Sequence, residues 1–488
     1  MTQVQDQSMV ELINKYVELS AETEWIEFKA NHQSPEKIGE YISALSNSAC
    51  LHQKAEAYLI FGIENDTHKI VGTTFDHRKE KGKGNEPLES WLVRSFKPNI
   101  EFKVFDINYP GNKRLVVFHI PPAVSGPVKF LNIAHIRVGN TTQRLDKFPE
   151  KEAIIWARRT PFEEKIAKED VSETEILDLL NHDQYFRLTK ESRPKNEDGI
   201  IEKLLQEDFI LKRGGKYHIS NLGAILLAQD LRNFTMLKNK GVRIITYKGI
   251  NRLDAIKDVT GQKGYAVGFE NLISYIESQI PDIEIIGKDF RFSGDKYPPE
   301  SIREFVANAL IHQDFYIMGQ GPSIEIFEDR IEICNAGNPL IEPDRFMDHP
   351  PKSRNEKLTD KLRRMKICEK RGSGVDRAIF KIELAQLPAP KIEKQEDSVK
   401  VVIFSHKKLA QLTKEDQCRA CYFHSCVKHV IEGDALTNAS LCKRLGIEKK
   451  NNAIASRIIS NAIRNKLIRP FDPENKSNRY AKYLPYWA

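Results

Sequence analysis

Glu304 and Asn308 stand four residues apart in the stretch Ser-Ile-Arg-Glu-Phe-Val-Ala-Asn-Ala-Leu-Ile-His-Gln-Asp-Phe, residues 301–315. On a helix that spacing puts both side chains on one face. Ile302, Phe305, Val306, Ala309 and Leu310 form the apolar stripe that buries the other side. A carboxylate beside a carboxamide can orient a water and hold a divalent cation against a phosphate. The same pair can equally be a polar helix edge closed by one hydrogen bond, so the choice depends on the residues C-terminal to the helix.

Gly319-Gln-Gly321 comes first, then two short strand patterns at 322–327 and 329–334. They end in Asn335-Ala-Gly337-Asn-Pro339, a turn where backbone can approach a ligand closely. Lys352-Ser-Arg354-Asn355 is next, then Glu369-Lys-Arg-Gly372-Ser-Gly374 just before a helix expected near Val375. Glycines at a helix N-terminus expose backbone N–H groups that hold phosphate oxygens.

In this order the segment resembles the divergent branch of the GHKL ATPases. Glu304 and Asn308 match an N-box, Asn335 and Gly337 an adenine-side turn, and Gly372 and Gly374 a Gly-rich lid. The resemblance implies ATP and Mg2+ as ligands. It makes Glu304 the general base and Asn308 the magnesium ligand. It places Asn335 toward the adenine, Gly372 and Gly374 around the phosphates, and Arg354 and Arg371 as balancing charge. Two positions depart from the family: Asn335 stands where a carboxylate is usual, and Arg377 where a third lid glycine is usual. Nucleotide binding is therefore expected more firmly than hydrolysis. His312 and Asp314 are expected as helix-end and core contacts. No Gly-x4-Gly-Lys-Ser/Thr occurs, which gives no support to a Walker-type motor.

A second constellation lies near the start. Glu22-Thr-Glu-Trp-Ile-Glu-Phe-Lys29 holds three glutamates in six residues, and Gly62-Ile-Glu64-Asn-Asp66 ends an apolar run. An extended segment from Trp25 puts Glu27 and Lys29 on one face and Phe28 on the other. Carboxylates gathered at strand ends can hold magnesium or manganese and activate water for phosphodiester cleavage; they can also be solvated turn acids. This region resembles the Schlafen AlbA-type domain. The likeness rests on Glu22-x4-Glu27-Phe28-Lys29, Ser43-Ala-Leu-Ser-Asn47, Leu59-Ile-Phe-Gly-Ile-Glu64, Ile70-Val-Gly72, Pro98, Pro127-Val-Lys129 and Ile136-Arg-Val-Gly139-x-Thr141. In nuclease members a three-acid site cuts RNA. The resemblance implies that role for Glu22 and Glu27, with Glu64 or Asp66 as the third acid unless Asn65 occupies its place. Lys29, Lys129 and Arg137 would contact phosphate.

These residues need elements to carry them. The 488 residues are 40% apolar and 29% charged, as expected of a globular chain of about three domains. Strands at 57–63, 102–109, 115–120 and 134–139, interleaved with helices, predict an α+β domain over 10–159. A helix at 196–206 and a β-wing around Gly214-Gly215 predict a winged-helix-like connecting segment over 160–295, followed by the GHKL-like segment over 296–404.

The net charge of +7 is concentrated at the end. The last 84 residues carry 16 Lys+Arg against 7 Asp+Glu, whereas the preceding 404 carry 59 against 61. There, over 405–488, a helix capped by Thr437, a turn, a helix over 453–466 and strands around 467–470 and 479–484 give the winged-helix order. Lys449, Lys450, Asn452, Ser456 and Arg457 are the candidate nucleic-acid contacts. Cys418, Cys421, His424, Cys426 and His429 lie too close together for two separated zinc-ligand pairs, and packing is their expected role.

No apolar run reaches a membrane span, no leader pattern opens the chain, and seven scattered cysteines suit a reducing compartment, so a cytoplasmic location is expected. The expected function is ATP-regulated nucleic-acid binding, with metal-dependent nuclease activity and anti-phage defence implied by the resemblance. A homo-oligomer is expected by analogy with GHKL domains. The alternatives are a non-catalytic transcription regulator that uses ATP as a ligand and an interaction scaffold.

Overall fold

A computed structural model of the chain describes residues 3–18, 22–280, 296–317, 319–368, 374–472 and 481–488. It divides into two units, Met1–Pro161 and Phe162–Ala488. Both mix helices and sheets, in line with the α+β expectation.

The first unit is built on strand β1 (Ile26–Lys29), helix α1 (Pro35–Leu51), strand β2 (Ala57–Phe61) and the hairpin β3 (Lys103–Tyr109) and β4 (Lys113–Ile120). The sheet order is β1-β2-β4-β3, with β1 parallel to β2 and the other pairs antiparallel. The hairpin closes at the expected turn, because Gly111 and Asn112 both take positive φ (82° and 58°), a backbone these two residue types tolerate. Ser34 caps α1 by accepting from the Lys37 N–H, and Pro35 fits the first turn.

Strand β5 (Ile133–Val138) packs on α1. The polar run Ser43-Ala-Leu-Ser-Asn47 is buried on that helix for a reason. The Ser43 hydroxyl donates to Val128 O at 2.7 Å, and the Asn47 amide donates to Val128 O and His135 O at 2.9 and 2.8 Å. These bonds, with Arg137 N donating to Ser48 Oγ at 2.9 Å, fix the height of Arg137 in the sheet.

The second unit is organised around a six-stranded sheet. Its strands are β6 (Arg243–Tyr247), β7 (Ala255–Thr260), β8 (Ser323–Ile326), β9 (Arg330–Ala336), β10 (Lys391–Lys394) and β11 (Ser398–Phe404), in the order β7-β6-β8-β9-β11-β10. β6 runs parallel to β8. Parallel neighbours need a crossover; here it includes the helix Tyr265–Gln279 and helix α2 (Pro299–Ile311). The sheet thus takes two strands from the region expected to be a winged-helix-like segment. Upstream in that region lie the helix Glu197–Gln206 and the antiparallel hairpin Ile210–Arg213 with Lys216–Ser220.

Helices α3 (Glu356–Arg364) and α4 (Gly374–Leu384) complete this layer. The basic segment then gives α5 (Lys414–Val430), α6 (Asn438–Arg444), α7 (Asn452–Arg464) and strands β12 (Ile468–Pro470) and β13 (Lys482–Pro485). Strand Leu436–Thr437 pairs with β13, which pairs with β12, in a three-stranded sheet, and residues 473–480 of the expected wing lie outside the described residues. Thr437 caps α6 reciprocally with Ser440. One hydrophobic cluster runs through the whole unit, from Phe162 to Ile468.

Candidate functional site

Helix α2 buries Ile302, Phe305, Val306, Ala309 and Leu310, as the stripe predicts. Glu304 and Asn308 therefore share the other face, and the Asn308 amide donates to Glu304 Oε1 at 3.2 Å. Ser301 Oγ donates to Ala378 O at 2.8 Å, which holds α2 against α4. Gly374 opens α4 directly on the Glu304 carboxylate, and a Cβ there would overlap the carboxylate oxygens. Any larger residue here would have to displace the Glu304 carboxylate.

Gly337 ends β9 with φ 108°, and a Cβ on it would strike the Arg354 guanidinium. Arg354 is engaged with main chain: it donates to His312 O at 2.7 Å and to Asn338 O at 2.5 Å. The neighbouring Asn355 amide donates to Ile311 O and Gln313 O, tying the same loop to the end of α2. Asn335 is buried on β9, with its amide 3.4 Å from Ala336 O.

A cavity of about 440 Å³ is lined by Glu304, Asn308, Asn335, Gly337 and Gly374 together. Arg354 lines it too, as a brace. Gly372 and Arg371 lie outside the described residues. The volume falls in the range of small-molecule sites. The donor set suits a magnesium nucleotide: one carboxylate and one amide oxygen at one end, with backbone turns at Gly337 and Gly374.

The cavity is also lined by His312, expected as a helix-end contact, by Lys352, given no role from sequence, and by Arg363, which sequence reading missed. Burial first, then the neighbouring Arg354 and Arg363, push His312 down from 6.5 to about 4. The folded protein thus keeps His312 neutral where an unfolded chain would charge it. The stability that results is complete above pH 6.5 and is lost as pH falls toward about 4. His312→Gln should remove about 2 kcal/mol of this acid sensitivity, read from thermal melts across that range.

At the N-terminal cluster Glu22 and Glu27 come together, but around a cation. Arg137 Nη2 lies 2.9 Å from Glu22 Oε2, and Arg137 Nη1 pairs with Glu27. The three side chains are 1%, 3% and 2% exposed for Arg137, Glu22 and Glu27. Glu22 Oε1 also accepts from Phe28 N at 2.7 Å. Lys29 pairs with Glu27, lies over the Tyr41 ring at 5.0 Å, and reaches Asn65 Oδ1 at 3.3 Å.

The residue that reaches this group from the end of β2 is therefore Asn65. Glu64 accepts from the Thr67 hydroxyl at 2.7 Å instead, and Asp66 is exposed. Among the described residues no three of His, Cys, Asp and Glu are grouped to hold a metal. Glu22 and Glu27 are already engaged by internal cations, so they do not fit a Mg2+ or Mn2+ centre. Lys129 stands half-buried on a two-residue strand beside β5.

In the basic segment Lys449, Lys450, Asn452, Ser456 and Arg457 are all exposed at the start of α7. Ala455, Ile458, Ile459 and Ala462 are buried beneath them. The Asn438 amide donates to Ser456 Oγ at 2.9 Å and to Asn452 O at 3.2 Å, joining the two helices of the turn. Cys418, Cys421 and Cys426 pack inside α5, while His424 pairs with Glu383 and His429 lies edge-on to Trp487.

Two family models match this chain. The one described as "Schlafen, AlbA_2" matches residues 22–146, and the one described as "Putative ATP-dependent DNA helicase recG C-terminal" matches residues 319–403. The chain carries a Schlafen AlbA_2 domain and an ATPase-like domain. The Glu22–Glu27–Arg137 cluster lies within the Schlafen AlbA_2 match. The ATPase-like match contains Asn335, Gly337, Arg354, Gly372 and Gly374, and begins just after α2. No curated protein matches the chain. Among solved structures it is similar to the DIP2311 protein from Corynebacterium diphtheriae, at 13% identity over 99% of this chain and 100% of that one, with a TM-score of 0.40. Among the described residues no helix is long and apolar enough to cross a membrane.

Proposed function

We propose that the chain is a nucleic-acid-binding protein controlled by ATP. The observation that carries this reading is the cavity: Glu304, Asn308, Asn335, Gly337 and Gly374, drawn from separate segments of the chain, meet around one space of about 440 Å³. The ATPase-like match over residues 319–403 supports a nucleotide there. Asn308 and Glu304 would hold the magnesium that accompanies it and, when bound, that ion would neutralise phosphate charge. Glu304 would orient water, Asn335 would face the base, and Gly374 would let the phosphates approach main chain.

Nucleic acid would meet Lys449 and Lys450, in the turn before α7, and Asn452, Ser456 and Arg457 on it. The lysines would contact phosphate and the N-terminal residues of the helix would face the groove. In the Schlafen domain, Lys29 and Lys129 would add phosphate contacts. Arg137, Glu22 and Glu27 act there as a structural lock, so geometry favours binding over cleavage at that site.

The test joins calorimetry and fluorescence anisotropy. Mg-ATP should bind the intact protein, and Asn308→Ala should weaken it about tenfold, or about 1.4 kcal/mol. The affinity for a labelled duplex or single strand should change on adding Mg-ATP, and Asn308→Ala should blunt that change. No heat with ATP, together with unchanged anisotropy, would reject the reading.

A further inference from the structure

The cavity wall carries three strong cations, Lys352, Arg354 and Arg363. Arg354 is committed to the carbonyls of His312 and Asn338. Its Nε is left without an acceptor, but both of its terminal nitrogens are used. Among the described residues Lys352 and Arg363 have no such carbonyl partners and no ion-pair partner, and Arg363 Nε is buried with no hydrogen-bond acceptor. A buried donor on a charged group is costly to leave unmade.

Neighbouring cations on the same helix are not left that way. Lys361 and Arg364 each reach Glu207 at 2.6 Å. Glu304 and Glu356 are the carboxylates on the wall, and neither lies within ion-pair distance of Lys352 or Arg363.

The backbone that carries the two cations is held in place, while the Lys352 side chain is exposed. Ser353, next to Lys352, is hydrogen-bonded through its hydroxyl to Thr359, one turn before Arg363, at 2.6 Å. Helix α3 is fixed at its start by Leu358 N donating to Glu163 Oε1 at 2.9 Å, and by the Glu207 pairs farther along. His312 lines the same wall beside Arg354 and Arg363.

We propose that Lys352 and Arg363 form an anion subsite that grips the phosphate chain of a nucleoside triphosphate. The assignment rests on the ATP reading for the identity of the ligand; the subsite itself rests on the unmatched charge. Arg363 supplies a forked donor and Lys352 a point charge, the two usual ways of holding phosphate oxygens.

The experiment uses full-length protein and four probes: ATP, ADP, adenosine and inorganic tripolyphosphate, titrated by calorimetry in magnesium buffer. Wild-type affinity should fall as phosphates are removed. Arg363→Gln and Lys352→Gln should each weaken ATP and tripolyphosphate by about 10- to 100-fold and leave adenosine unchanged. Arg363→Lys should retain part of the affinity, which separates loss of charge from loss of fold. ATP binding that is insensitive to both glutamine variants overturns the subsite and leaves the ATP reading standing. Arg363-dependent tripolyphosphate binding with no gain for ATP keeps the subsite and removes the ATP reading. Equal losses for adenosine and ATP make Arg363 a structural residue and overturn the proposal.

Discussion

Arg137→Met should destabilise the N-terminal unit by about 3–5 kcal/mol, because it leaves two carboxylates buried without their counter-ion. Arg137 is 1% exposed and bridges Glu22 and Glu27, which are almost equally buried. Burial pulls its guanidinium below the ordinary value, and Glu22 opposes that pull. The strand that carries it is pinned to α1 through Ser43, Asn47 and Ser48, so the cluster cannot open to water without breaking those bonds.

Urea unfolding followed by tryptophan fluorescence reads this unit well, since three of the four tryptophans (Trp25, Trp91 and Trp156) lie in it. Adding Glu22→Gln and Glu27→Gln to Arg137→Met should restore a large part of the loss. A single Arg137→Met variant within about 1 kcal/mol of wild type would show that the cluster is not the lock described, since that is the value of an exposed pair.

The second large effect is expected in the other unit. Glu383, near the end of α4, pairs with Arg444 of α6 at 2.7 Å and with His424 of α5 at 3.0 Å, and all three are buried. Although burial pushes the Glu383 carboxyl up, Arg444 and then His424 outweigh it and hold the group below the usual carboxylate value. Arg444 also donates to Leu387 O at 2.5 Å.

Arg444→Met should therefore cost about 3–5 kcal/mol, while Glu383→Leu combined with Arg444→Met should recover most of it, as buried pairs replaced by apolar side chains usually do. Because the Glu383 value is depressed, its contribution is present above the ordinary carboxylate range and is lost as pH falls below it. Thermal melts monitored at Trp487, the remaining tryptophan, should lose this acid-dependent step in the double variant. Additive single and double losses would rule out coupling between the two residues.

Local pattern carries much of this architecture and fails in identifiable places. The stripe through Ile302, Phe305 and Val306 suffices to put Glu304 and Asn308 on a cavity face. Gly111-Asn112 suffices for a hairpin, and Thr437 for a helix start, because each depends on residues close in sequence. The acidic cluster is harder. Spacing brings Glu22 and Glu27 together but cannot show that Arg137 returns between them, or that Asn65 rather than Glu64 reaches the site.

Strands β6 and β7 escape sequence reading because β6 pairs in parallel across a long crossover, and β7 is exposed along its whole length, so neither leaves an alternating signal. Lys352 and Arg363 escape it because a lysine in a loop and an arginine on a charged helix look like solvated surface. Only their place on the cavity wall shows otherwise. The one available hint is that Arg363 lies four residues after Thr359, which is buried, so the two share one edge of α3.

Helix α4 begins on Glu304 and ends on Arg444, and the hydrophobic cluster passes beneath it without a break. The basic segment is therefore not an appendage that can be cut away at residue 404. Severing the chain there would strip α4 of the partners of Glu383 and lay open a core shared by both halves. The cavity and the segment that offers Lys449 and Arg457 therefore draw on one continuous core, and neither can be removed without exposing the other.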